Sequence, residues 1–171
     1  TGTQNVAVGA NALDANTTAG NLTAVGYNAL SANTTGTENT GLGRQALLNN
    51  STGGFNVAVG VNALYQNTTA SSNTAVGTSA LGSNTTGANN VAVGANALDA
   101  NTTANNNTAI GHDSLGANTT GTNNTAIGKQ AGESQTTANA CTWIGVEAGR
   151  FNTANDNVGI GSGCMRLNTT G

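Results

Sequence analysis

The amino-acid sequence predicts an all-β fold, a parallel β-solenoid of about ten coils. A 17-residue unit recurs along the chain, which is the main signature of a repeat architecture. Each unit carries one short run with β-branched residues at alternate places, followed by a glycine, which favours a strand and then a turn. The unit is too short for a pair of helices and lacks the apolar spacing of an amphipathic helix. One unit therefore suits one coil of a solenoid.

The composition agrees with stacked coils. The 171 residues include 29 Asn, 29 Thr and 25 Gly, no Pro, and only 6% charged residues. Stacked Asn side chains can hydrogen-bond from coil to coil, whereas stacked like charges would repel one another. Five aromatic residues are too few for an ordinary globular core. The net charge of −3 with four basic residues argues against nucleic-acid binding, and no apolar run is long enough for membrane insertion.

The repeat reads G/A-x-x-N-[VT]-A-[VI]-G-x-x-A-L-x-x-N-T-T, with position 1 at Gly2. Successive position-8 glycines are 17 residues apart eight times and 16 apart once, because one residue is missing between Ala148 and Gly161. The array fills residues 1–171 as a single domain, and we expect it to be a fragment of a longer fibre. Each position-8 glycine is expected at a coil corner that needs positive φ or close backbone approach. These glycines are Gly9, Gly26, Gly43, Gly60, Gly77, Gly94, Gly111, Gly128, Gly145 and Gly161.

Each coil is expected to run through a strand at positions 4–7, the glycine corner, a second extended piece that begins with A-L, and an N-T-T-G return corner. Because side chains alternate along a strand, positions 5 and 7 should point inward and the position-6 alanines outward. The position-7 residues then form the predicted core ladder. This ladder consists of Val8, Val25, Leu42, Val59, Val76, Val93, Ile110, Ile127, Ile144 and Ile160.

The A-L pair at positions 11 and 12 bears on assembly. If this segment is extended, only one of the two residues can point inward, so one apolar column should face outward as an interface between chains. The alternative is a bend at position 11 that turns both residues inward. The leucines of this predicted interface are Leu13, Leu30, Leu47, Leu64, Leu81, Leu98 and Leu115.

The motif N-T-A-[VI]-G, seen at residues 73–77 and 124–128, resembles the repeats in head domains of trimeric autotransporter adhesins. It is even more similar to the N-T-A-I-G-x-x-A-L-x-x-N-T-T-G arrays of phage-type tail fibres and large bacterial surface proteins. The resemblance covers all ten repeats, although the adhesin repeat is shorter than the 17 residues found here. It implies a left-handed, homotrimeric β-roll that is extracellular, on a cell surface or a virion tail.

Residues suited to catalysis or to metal and cofactor binding are scarce. His112 and Asp113 stand at the variable positions 9 and 10, where we expect a solvent-facing pair. A metal site needs three or four ligands, and no such set repeats, so we expect neither metal nor cofactor. Cys141 and Cys164 occupy different positions in adjacent coils and are expected to replace a ladder asparagine and a core alanine rather than to form a disulfide.

The last three repeats depart from the consensus. Position 12 becomes Gly132, Gly149 and Met165, and Trp143 replaces a position-6 alanine. One interpretation is a change of cross-section. The other is a receptor contact in which Trp143, Arg150 and Phe151 stack on a surface glycan or meet a cell-surface receptor.

These observations favour a structural fibre segment, a shaft or head that gives stiffness and a regular surface for attachment. The alternative is an ice-binding solenoid that uses threonine ladders. A flat double rank of threonines needs T-x-T, however, and in an extended N-T-T segment only one of the two threonines would turn outward. An enzyme acting on polysaccharide would need paired carboxylates, which the repeats do not place together, so we expect no enzymatic activity.

Overall fold

The chain folds into ten short parallel strands stacked as a single β-solenoid in a computed structural model, which describes residues 2–167. Thr1 and residues 168–171, which include the tenth N-T-T segment, lie outside the described residues. The strands are β1 (Val6–Val8), β2 (Thr23–Val25), β3 (Thr40–Leu42), β4 (Val57–Val59), β5 (Thr74–Val76), β6 (Val91–Val93), β7 (Thr108–Ile110), β8 (Thr125–Ile127), β9 (Thr142–Ile144) and β10 (Val158–Ile160). The predicted fold class is confirmed.

The coils stack in the register of the repeat. Each strand pairs in parallel with the next one, so that Ala75 of β5 lies beside Ala92 of β6, and the sheet order follows the chain from β1 to β10. Backbone hydrogen bonds also join successive coils outside the strands, for example from Leu81 N to Ala97 O (3.0 Å). No helix long and apolar enough to cross a membrane occurs among residues 2–167.

The strand occupies positions 5–7 only, and the position-8 glycine ends it. All ten of these glycines have positive φ, between 121° and 138°, which confirms the conformation expected from the sequence. Adjacent glycines are also closely stacked. A Cβ on Gly77 would lie 2.5 Å from the carbonyl oxygen of Gly94.

The A-L segment is a turn rather than a second extended piece. In the fifth coil, Ser79 at position 10 and Leu81 at position 12 both have left-handed φ values, of 56° and 51°. Because of this turn, Ala80 and Leu81 both point inward and are fully buried. A left-handed leucine costs about 1–2 kcal/mol, and burial of its side chain offsets this with about 1.5–3 kcal/mol.

The predicted leucine interface is therefore wrong, and the alternative bend is what the chain adopts. The second to the seventh of these leucines are fully buried within the chain. The first, in the terminal coil, is partly buried against the core. These residues are Leu30, Leu47, Leu64, Leu81, Leu98 and Leu115, with Leu13 as the partly buried one.

The predicted core ladder at position 7 is also wrong, because the strand faces the other way. Apart from Ala7 in the terminal coil, the position-6 alanines, such as Ala75 and Ala92, are fully buried, and none of the position-7 side chains is buried. The reason is space. A Cβ on Gly41, at position 6, would lie only 3.3 Å from Cγ of Leu30, so the inward leucine leaves room for little more than a methyl group. The position-7 ladder therefore faces outward. It consists of Val8, Val25, Leu42, Val59, Val76, Val93, Ile110, Ile127, Ile144 and Ile160.

Two columns of buried asparagines hold the interior together. At position 15 the amides bond from coil to coil, as from Asn67 Nδ2 to Asn50 Oδ1 (2.7 Å) and from Asn84 Nδ2 to Asn67 Oδ1 (3.0 Å). At position 4 the side chain bonds to backbone instead: Asn56 Nδ2 donates to Ala70 O (2.8 Å), and its Oδ1 accepts from the backbone N–H of Asn73 (3.0 Å). These bonds satisfy buried polar groups that would otherwise cost about 1–3 kcal/mol each.

Candidate functional site

Charged side chains are confined to part of the solenoid surface. All eleven Lys, Arg, Asp and Glu residues, and His112, occur at positions 3, 9, 10 and 13 of the repeat. Positions 4–8 carry no charged side chain in any repeat, and neither do positions 14–17, 1 and 2. Two long strips of surface are therefore free of charge, and each is described below.

The first strip is the strand face, defined by the outward side chains at positions 5 and 7. Position 7 is Val, Ile or Leu, with Val76 36% and Ile110 39% exposed. Position 5 is Val four times and Thr six times, and every one of these side chains is exposed or half-buried. The face thus consists of two parallel ranks of side chains. Within each rank, side chains of successive coils are about 4.8 Å apart. It is a continuous and largely apolar surface.

The second strip is the threonine bend, defined by positions 16 and 17. This segment is a bend in coils 1–8, not a strand. Both adjacent threonines therefore reach solvent. Position 17 is exposed in coils 1–8, and position 16 is half-buried or exposed. The exposed position-17 residues are Thr18, Thr35, Thr52, Thr69, Thr86, Thr103, Thr120 and Thr137.

The threonine bend is held rigidly by one carbonyl of the next coil. Thr102 O accepts from the backbone N–H of Thr85 (2.9 Å), from the N–H of Thr86 (3.2 Å) and from the hydroxyl of Thr85 (2.9 Å). In coils 2–7 the hydroxyls at position 16 are thus used within the protein. Among residues 2–167, no hydroxyl at position 17 makes a hydrogen bond to the protein.

The predicted receptor contact around Trp143 is not assembled at the surface. Trp143 is fully buried, and its Nε1 donates to Oε1 of Gln135 (2.9 Å), so a receptor cannot stack on it. Arg150 and Phe151 do meet at the surface, with the guanidinium 5.0 Å from the ring centroid. Arg150 is also paired with Glu133 and lies 3.5 Å from a carboxylate oxygen of Glu147. Of the three residues predicted as a receptor contact, the structure brings only Arg150 and Phe151 together at the surface.

A shallow groove of about 390 Å³ lies between the sixth and eighth coils. Asp99, Asp113 and Glu133 line it, a juxtaposition that the sequence analysis missed because it compared only residues at the same repeat position. Burial, together with the neighbouring charge of Asp113, raises the pKa of Asp99. The carboxylate of Asp113 lies 2.8 Å from Nδ1 of His112, whose side chain is 53% exposed, as expected for a solvent-facing pair.

The groove and its surroundings offer no assembled metal site. Within the part of the chain that the structure describes, no group of three or more His, Cys, Asp and Glu side chains is placed to hold a metal ion. Cys141 is buried and Cys164 half-buried, and neither forms a disulfide. Burial raises the pKa of the Cys141 thiol.

The residue types at positions 5 and 6 indicate from the sequence alone which side of the strand faces outward. Position 6 is Ala seven times and Gly twice, whereas the flanking positions alternate among Val, Thr, Ile and Leu. A constant small residue at the middle of a strand is typical of a confined interior. Tolerance of threonine at position 5 is typical of an exposed position.

The sequence matches no protein-family model, and no curated protein or solved structure is significantly similar to it.

Proposed function

We propose that this chain is a structural segment of a fibre on a cell surface or virion tail, and that it associates with two further copies of itself through the strand face. The observation that carries this proposal is the continuity of that face. It runs over ten stacked strands without a charged residue, whereas single exposed apolar residues are scattered on most proteins.

The solenoid suits a stiff spacer. Nine steps between ten strands, at about 4.8 Å each, give a rod about 43 Å long. Each step is made by backbone hydrogen bonds in the strand and in both turns, and by side-chain hydrogen bonds in the asparagine columns. Bending the rod would have to break several of these bonds at once, so the repeats carry the function together. No catalysis is part of this proposal.

Self-association is favoured by the chemistry of the strand face. Two ranks of Val, Ile, Leu and Thr can pack against the same ranks of a second copy without burying a charge. An interface that is apolar along its whole length is typical of permanent association. Three is the number of chains that the resemblance to adhesin heads implies.

Light scattering on a sizing column tests this proposal. We expect a mass near three times the 16.6 kDa of one chain. A monomer would contradict self-association, and a dimer would retain the strand face as the interface but contradict the number of chains.

A pair of variants tests the surface itself. Val76→Asp places a charge at position 7 in the middle of the strand face, where association would bury it. We therefore expect the affinity of the chains for one another to fall by at least about tenfold, so that the trimer dissociates. Thr78→Asp adds the same charge two residues later, at exposed position 9, and should leave the mass unchanged. Equal behaviour of the two variants would show that the interface lies elsewhere.

A further inference from the structure

We propose that the threonine bend is an ice-binding face. It lies on a different strip of the surface from the strand face and does not depend on the fibre proposal. The two adjacent threonines of the repeat, Thr85 and Thr86 in the fifth coil, both reach solvent because the backbone bends there. The position-17 threonines therefore form an exposed rank, and the position-16 threonines, whose hydroxyls bond to the next coil, lie beside it.

The rank is periodic and rigid. Successive position-17 threonines repeat with the coils, at about 4.8 Å, over eight coils. This period is close to a lattice repeat of ice. In coils 2, 3, 5 and 7 the backbone amides of both residues donate to one carbonyl of the next coil, and in coils 2–7 the position-16 hydroxyl does so as well. A surface that is already ordered loses little conformational entropy when it binds.

The chemistry of the rank fits ordered water. Eight exposed hydroxyls at position 17 have no partner within residues 2–167, so each is available to donate to and accept from water. The strip from position 14 through position 2 carries no charge. Charged groups hold strongly oriented hydration shells, and their absence lets one lattice of waters span the whole rank.

Other ligands fit this face less well. A small molecule is normally bound in a concave pocket, and this surface is an outer edge of the coil. Sugar chains are commonly held by aromatic stacking. The single aromatic residue at positions 14–17, 1 and 2 is Phe151, in the ninth coil, beyond Thr137, the last exposed position-17 threonine among residues 2–167.

Ice recrystallisation in the presence of the purified chain tests the proposal, together with incorporation of the protein into a slowly growing ice surface. The informative variant is Thr86→Tyr, which raises a large ring from the middle of the rank. Its matched control is Thr78→Tyr, which changes an exposed threonine of the same coil at position 9, where Tyr27 already stands in the second coil.

We expect the unchanged chain to stop recrystallisation and to enter the ice. Thr86→Tyr should raise the concentration needed by about tenfold or more, and Thr78→Tyr should leave it unchanged. Thr52→Tyr, at the same position two coils away, should repeat the loss if Thr86→Tyr proves poorly folded by circular dichroism.

No effect of the unchanged chain on ice would overturn the proposal, as would equal effects of Thr86→Tyr and Thr78→Tyr. Retention on an insoluble polysaccharide without any effect on ice would also overturn it, and would assign the face to sugar. The mass of each variant, measured by light scattering, reports on self-association separately. The trimer can therefore fail while ice binding holds, or the reverse.

Discussion

Replacing Gly77 with alanine is expected to lower the free energy of unfolding by about 4 kcal/mol. Two costs add. The added Cβ would lie 2.5 Å from the carbonyl oxygen of Gly94 and 3.0 Å from the amide nitrogen of Ala95, both of them backbone atoms of the next coil. In addition, the φ of 138° at Gly77 is strained for any residue with a Cβ. Gly77→Val, with a larger side chain, is expected to prevent the coil from closing.

Gly161 offers a control that separates these two costs. It has the same kind of backbone, with φ of 121°, but no atom lies within 4 Å of a Cβ built on it. Gly161→Ala should therefore cost only the strain, about 1–3 kcal/mol. Thermal and urea unfolding, followed by circular dichroism, would measure both variants. Equal losses would contradict the importance of coil-to-coil contact, and an unchanged melting temperature for Gly77→Ala would contradict the corner itself.

Replacing Trp143 with alanine is expected to cost about 3–5 kcal/mol, because it empties the largest buried side chain of the molecule. The indole fills space that three glycines leave open. Cβ atoms on Gly132, Gly149 and Gly159 would lie 2.9, 2.2 and 2.8 Å from its ring. In the other coils this space holds the position-12 leucine and the position-6 alanine.

The same geometry predicts a rescue. Gly149→Leu alone should be destabilising, because its side chain would overlap the indole. Combined with Trp143→Ala, it restores the alanine–leucine pair of the consensus, and Gly149 already has the left-handed φ, 59°, of those leucines. We expect the double variant to recover at least half of the stability lost by Trp143→Ala. Strictly additive losses in the double-mutant cycle would contradict this packing.

The Trp143 substitution also explains a break in the asparagine column. Position 15 is Gln135 in the eighth coil, and its Oε1 accepts from the indole Nε1. Asn118 Oδ1, which would otherwise bond to an asparagine there, is buried without a partner among residues 2–167. The departures at Trp143, Gln135 and the glycines form one compensated set, which supports the interpretation as a change of cross-section.

The repeat period predicted the fold class, the coil count and the position-8 glycines, because in-register stacking converts every repeated residue into a column. The direction of the strand was predicted wrongly. Alternation along β5 shows that Ala75 and its neighbours Thr74 and Val76 face opposite ways, but it does not show which of them faces the core. Hydrophobicity favoured the valine, and available volume decided for the alanine.

The sequence by itself determined the solenoid, its period, its polar interior columns and its scarcity of charge. Only the tertiary structure decided which columns face outward, because this depends on left-handed turns at residues such as Leu81. The intrinsic backbone preference of leucine does not favour that conformation. That turn brings the leucine into a narrow interior, which in turn leaves room for only a methyl group on the facing strand. The exposed ranks on which both functional proposals rest, of aliphatic residues on one face and of threonines on another, follow from that packing.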